Sequence, residues 1–263
     1  MKSIAKETLI GIILGISLFT YSIISETDNY LMFVSLPSLL MVLGGTIAAV
    51  MISFKFEHVK LALKEFRGIL IPQNINPATL YEEVENIIYW ARIQKKEGVM
   101  GLEKEVQKVQ DPFVKYGGEL VVTGYRGDEL RKMLTNFAET TYERNIIGSH
   151  ILKAMGNFAP GFGMLGTVIG LIIMLDQMGN DASSLGKGLA FALMTTLYGV
   201  FLANMFFKPA GEKAKQKQET LKFRNLLVTE GFVLLGENKD SMLIQDMLNS
   251  FLDTEYHFSV IKK

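Results

Sequence analysis

Cysteine is absent from the 263 residues, so neither a disulfide nor a thiolate metal site is available. Histidine is scarce as well. His58, His150 and His257 stand far apart in charged segments, and none forms an HExxH or another metal-ligand spacing. No P-loop occurs, and Gly161-Phe162-Gly163 lacks the strand context of a dinucleotide fingerprint. Enzymatic catalysis, a metal and a bound cofactor therefore find no support. Net charge is missing too: 27 basic and 27 acidic side chains sum to zero, which removes the electrostatic case for nucleic acid. The most informative absence is local, because four long stretches contain no Asp, Glu, Lys, Arg or His at all.

Those stretches are residues 8–25, 29–54, 154–175 and 188–207, with 18, 26, 22 and 20 residues. A helix crosses a bilayer core with about 20 apolar residues, so each is expected to be a span. The expected fold class is all-α, a polytopic membrane protein with four transmembrane helices and a helical cytoplasmic domain. Lys2 and Lys6 before the first run resemble a signal peptide, but the run is longer than an h-region of about 7 to 15 residues and should be retained. Only a short turn around Glu26 and Asp28 follows, which predicts antiparallel neighbours. The second run includes Pro37, where a kink is expected, and Gly44-Gly45-Thr46.

Between the second and third runs the chain is charged and amphipathic, with helical apolar spacing in Leu80, Val84, Ile87, Ile88 and Ala91. Pro72 and Pro77, around Gln73-Asn74-Ile75-Asn76, mark a turn between helices, and Asp111-Pro112 and Thr123 to Asp128 mark two more breaks. After the fourth run Pro209 reads as a plain helix terminator. Lys208, Lys213, Lys215, Lys217, Lys222 and Arg224 then form a basic helical stretch. The expected organisation is residues 1–54 with spans one and two, 55–153 a helical domain, 154–207 with spans three and four, and 208–263 a helical tail. Placing the N-terminus, the 55–153 segment and the tail on one side collects 2, 15 and 9 Lys or Arg there, leaving only Lys187 opposite. By the positive-inside rule both termini are expected to be cytoplasmic.

Spans three and four carry small residues at helical steps. Gly156, Pro160, Gly163, Thr167 and Gly170 share one face, and Gly188, Ala192, Thr195 or Thr196, Gly199 and Ala203 share another. Such faces let membrane helices approach closely, and Thr167 would meet the Thr195-Thr196 pair across the contact. Hydroxyl and carbonyl oxygens suit hard cations such as Na⁺. Proton and ion relays in membranes are built on ionisable side chains, so any carboxylate for ion passage would come from another chain. Spacing alone favours the plainer alternative, threonines bonded to their own preceding carbonyls.

The stretch Ala159 to Leu171, APGFGMLGTVIGL, and the stretch Ala190 to Gly199, AFALMTTLYG, resemble the paired signature of the flagellar stator A-subunits, the MotA/PomA family. Pro37-Ser38, Gly44-Gly45-Thr46, Lys96-Glu97-Gly98 and Leu102-Glu103 resemble it too, so the likeness covers nearly the whole chain. The resemblance implies a bacterial inner-membrane protein, a pentamer of A-subunits around two copies of a MotB/PomB-type B-subunit whose single span supplies an aspartate. It implies an ion route along Thr167, Thr195 and Thr196, conformational coupling at Pro160 and Pro209, and helix packing at Gly156, Gly163, Gly166, Gly170, Gly188, Ala192 and Gly199. Lys95 and Lys96 would face the rotor switch protein, with Glu103 as their acidic counterpart, and the family often has Arg where Lys95 stands. Exposed charge pairs are weak and salt-screened, which suits a contact repeatedly made and broken. Sodium-type members tend to carry all three threonines, so Na⁺ is the expected ion and H⁺ the alternative. Two rivals are the related ExbB/TolQ energisers, with three spans and an external N-terminus, and a secondary transporter, which would show repeats or broken helices. A structural scaffold without ion flux is a third.

Overall fold

The computed structural model describes residues 5–71, 75–178 and 182–258, with side chains in the last segment from Leu185 onward. Lys2, the Pro72-Gln73-Asn74 part of the expected turn, residues 179–181 and residues 259–263 lie outside the described residues. Nine α-helices are described: α1 Lys6–Glu26, α2 Leu36–Ser53, α3 Phe56–Gly68, α4 Pro77–Val106, α5 Pro112–Val122, α6 Gly127–Asp176, α7 Ala182–Leu202, α8 Lys208–Gly236 and α9 Ser241–Asn249. Short 3₁₀ turns at Tyr30–Phe33 and Thr254–Tyr256 and a π turn at Ala203–Phe207 complete them, with no strand among the described residues. Four of the helical runs are long and apolar enough to cross a membrane, as the charge-free stretches predict.

Contacts gather the chain into two compact units, Met1–Pro72 with Asn145–Gln216, and Gln73–Arg144 with Lys217–Lys263. Charge and contact thus divide the chain at different places, since α3 follows the first charged residues yet groups with the spans. It is an amphipathic helix whose Ala62 is buried, and it lies over Gly148 of α6, where an added Cβ would come within 3.4 Å of Leu61.

In the first unit α2 starts at Leu36, so Pro37 opens the helix instead of kinking its middle. A first-turn proline gives up only an N–H that has no partner within the helix, and its fixed φ already fits. Ser35 caps the same end by accepting from the Ser38 N–H at 3.4 Å. Val42, Thr46 and Val50 then bury one face at steps of four. Helix α1 buries no residue of its own and lies antiparallel to the fourth span, with Phe19 against Phe201 at 4.6 Å between ring centroids.

Helix α6 runs unbroken for 50 residues through both Lys153 and Pro160. At 1.5 Å per residue that is about 75 Å, more than twice a bilayer core of about 30 Å, so only its second half is span. Pro160 takes away one N–H and leaves the Gly156 carbonyl without its usual donor four residues on, which local packing tolerates. Pro209 does not end the fourth helix. The Lys208 N–H bonds the Ala203 carbonyl five residues back, and Pro209 follows as the second residue of α8. The widened π turn changes register just where the proline would remove a bond.

The second unit has an apolar core in which Val84, Ile87 and Ile88 of α4 meet Leu227 and Phe232 of α8, as the helical spacing of α4 predicts. Trp90 stacks on Phe232 at 5.8 Å and 15°. Asn76 caps α4 in a reciprocal box with Thr79, and Asp111 caps α5 by accepting from Phe113 and Val114 at 2.9 and 3.0 Å. Arg224 is buried at 6% exposure and donates to Glu83 through Nε at 2.8 Å and to Asp111 through Nη1 at 3.0 Å. It therefore ties α8 to α4 and to the cap of α5, and is buried where the other cations of the basic stretch are half-buried or exposed.

Candidate functional site

Helices α6 and α7 meet backbone to backbone. An added Cβ at Gly163 would lie 2.9 Å from the Thr195 carbonyl oxygen, and at Gly170 2.6 Å from that of Gly188. The reverse also holds: at Gly188 it would lie 2.8 Å from the Gly170 oxygen, and at Gly199 2.7 Å from the Ala159 oxygen. Gly166 is covered by the Thr195 side chain, and Ala192 is buried opposite Gly170. Gly156 faces the Lys208 side chain one level further along, where a Cβ would come within 2.6 Å of its Cγ. At Gly163, Gly170, Gly188 and Gly199 only a hydrogen atom fits against the facing backbone, so the two helices approach as closely there as glycine permits.

The approach brings oxygens together. The Thr167 hydroxyl is bonded to the Thr196 hydroxyl across the seam. Thr167 Oγ1 also stands 3.1 Å from the Gly163 carbonyl of its own helix and 3.1 Å from the Ala192 carbonyl of α7. Thr196 Oγ1 reaches the same Gly163 carbonyl at 3.4 Å. Each hydroxyl has one proton, so these are alternative donations, and hydroxyl lone pairs beyond them stay open. Thr196 is exposed and Thr167 half-buried, which leaves the pair at an accessible edge of the seam.

Thr195 behaves differently. It is fully buried and donates to the carbonyls of Phe191 and Ala192 at 3.1 and 2.9 Å in its own helix. Consecutive helix positions point about 100° apart, so the pair cannot face one way, and Thr195 joins the others only through the shared Ala192 carbonyl. Both readings of the threonines are thus present at once, since Thr167 and Thr195 each reach back into their own helix while Thr167 also bridges.

Tyr198 is a further member of this face whose role the sequence leaves unread. Its hydroxyl donates to the Phe33 carbonyl at 2.6 Å and accepts from the Ser35 N–H at 2.9 Å, fastening α7 to the turn before α2. The available signal was a phenol inside a charge-free run, because a buried tyrosine hydroxyl requires a partner.

The cationic and acidic positions of α4 are not one helical face. Gly98, at φ 70° and ψ −165°, interrupts the helix between Lys96 and Glu103. Lys95, Lys96 and Glu103 are all exposed. Lys95 donates to Asp240 at the start of α9 at 2.8 Å, and that bond, with a further one from the Met242 N–H, holds the Asp240 carboxyl below its ordinary range. Among the described residues no group of three His, Cys, Asp or Glu could hold a metal.

Residues 105–224 match the family described as the MotA/TolQ/ExbB proton channel family. Over 94% of its length the chain is 32% identical to the chemotaxis protein PomA of Vibrio alginolyticus, covering 94% of that protein. The chain belongs to the MotA/PomA family of flagellar stator subunits. It is also 30% identical to motility protein A of Bacillus subtilis (strain 168), over 94% of this chain and 90% of that one. The solved structure of the flagellar MotAB stator complex from Bacillus subtilis superposes with a TM-score of 0.84 at 28% identity, covering 94% and 96% of the two chains. Membership in the MotA/PomA family sets the chain among ion-driven motor subunits and apart from enzymes, and the four spans separate it from the three-span ExbB/TolQ pattern.

Proposed function

We propose that this chain is the ion-conducting A-subunit of a flagellar stator, acting with a MotB/PomB-type partner to power rotation, and that it conducts Na⁺. The observation that carries the ion choice is the oxygen cluster of Thr167, Thr196 and the Gly163 and Ala192 carbonyls at an accessible edge of the α6–α7 seam. Hard cations favour such ligands. No ionisable group of Asp, Glu, Lys, Arg or His lies within residues 154–175 or 188–207, so the partner's transmembrane aspartate completes the route. In this reading Thr195 holds the seam closed behind the pathway pair. Five A-subunits surround two B-subunits in the bacterial inner membrane, with both termini cytoplasmic. Pro160 and Pro209 act in coupling, since each stands where a backbone bond is missing or displaced. Lys95, Lys96 and Glu103 meet the rotor switch protein, and Lys95 must let go of Asp240 to do so.

The test is swimming speed of a strain that relies on this stator, measured with a protonophore present while Na⁺ is replaced by K⁺. Speed should fall with Na⁺, and equal swimming in K⁺ refutes Na⁺ coupling. Thr196→Ala should lower speed at limiting Na⁺ while assembly with the partner persists, and Thr196→Ser should restore part of it. Full speed in Thr196→Ala would make the hydroxyl merely structural.

A further inference from the structure

A cavity of about 370 Å³ lies between α1, the end of α3 and the π turn, away from the threonine cluster. That size falls within the roughly 300–1,000 Å³ of small-ligand sites. Its body is apolar, formed by Gly11, Ile12, Phe66, Ile69, Met205 and Phe206. Thr8 and Lys213 close one end, with the Lys213 ammonium donating to the Thr8 hydroxyl.

The cavity has a direction. Helix α1 and the fourth helical run lie antiparallel with Thr8 opposite Lys213, Gly15 opposite Met205 and Phe19 opposite Phe201. Thr8 stands at the start of the first charge-free run, so the polar end is at the membrane edge and the apolar body extends inward along the span. Lys213 brings a full positive charge to that edge, and the bond described for it is to a neutral hydroxyl. The adjacent carboxylate, Glu212, is held by Lys153 at 2.6 Å. At Gly11 an added Cβ meets nothing within 4 Å, so open space continues past α1. An apolar cavity repels water, and beside a bilayer its natural filling is hydrocarbon. We propose that it holds one acyl chain of an anionic phospholipid, the phosphate of whose headgroup rests on Lys213. The pairing has the form expected of basic pockets between spans that take anionic headgroups.

The experiment uses the chain assembled with its B-type partner, partly delipidated, supplied with phosphatidylglycerol or phosphatidylcholine, and weighed by native mass spectrometry. Phosphatidylglycerol should be retained in preference to phosphatidylcholine, up to one per A-subunit. Lys213→Gln should cut that preference about fivefold, the effect of one interfacial charge. Gly11→Leu, which sets a larger apolar side chain at the cavity wall where an added Cβ meets nothing within 4 Å, should abolish retention of both lipids while assembly is unchanged. Equal retention of the two lipids by the unaltered complex overturns the proposal, as does undiminished retention in Gly11→Leu. Loss of the preference on adding inorganic phosphate would overturn it in favour of a free-anion site.

Discussion

Replacing Gly170 by alanine tests the glycine seam directly. The new methyl would lie 2.6 Å from the Gly188 carbonyl oxygen and 2.7 Å from the Ala192 nitrogen, both backbone atoms that no rotamer change can move aside. Reaching an ordinary contact of 3.4 Å requires the helices to part locally by roughly 0.8 Å. That displacement is enough to lengthen the Thr167–Ala192 contact, now 3.1 Å, beyond hydrogen-bond range. Overpacking of this kind costs about 1–3 kcal/mol. Gly186→Ala is the control, because an added Cβ there meets nothing within 4 Å, and alanine is the better helix former by about 1 kcal/mol. Thermal unfolding of the purified complex and swimming speed at limiting Na⁺ are the assays. Gly170→Ala should lower both and Gly186→Ala neither. Equal behaviour of the two variants would refute the claim that the seam is in backbone contact.

Arg224→Met should destabilise the second unit by about 3–5 kcal/mol, because it strands the half-buried Glu83 and Asp111 carboxylates, and denaturant unfolding followed by tryptophan emission measures it. Gly98→Ala places a methyl at φ 70°, costing about 1–3 kcal/mol, and should reduce motility more than it reduces membrane levels on immunoblots. The Lys95–Asp240 bond should persist at neutral pH. Asp240 has a lowered folded pKa, so its contribution is present above the ordinary carboxylate range and is lost as pH falls through the lower folded value. Labelling of Lys95 by an amine reagent should therefore rise in Asp240→Asn relative to the parent at neutral pH, with no step assignable to Asp240 between about pH 6 and pH 8.

The spans were legible because a bilayer tolerates charge so poorly that 18 to 26 consecutive residues without it stand out in any sequence. The seam was legible for a similar reason, since small residues at helical steps have few purposes inside a membrane. Prolines misled where context overrode local preference. Pro37 starts its helix, and Pro209 is carried past by a π turn that no composition announces. Thr195 and Thr196 are neighbours in sequence with opposite surroundings, and only the rotation of α7 against α6 decides which is buried. Arg224 looked like one more cation in a basic run because its partners lie 141 and 113 residues away. Pairings at that distance come from the fold and leave no periodic trace.

The stacking of Trp90 on Phe232 has a practical consequence. Trp90 is the only indole in the chain, 6% exposed, and none of the four charge-free runs contains another. Light at the red edge of aromatic absorption, beyond the reach of tyrosine, therefore excites a single site of this chain, on α4. Its emission reports the solvation of one core and is blind to detergent or lipid around the spans. The protein thus carries a built-in fluorophore with which melting of the charged helices can be followed separately from events in the membrane.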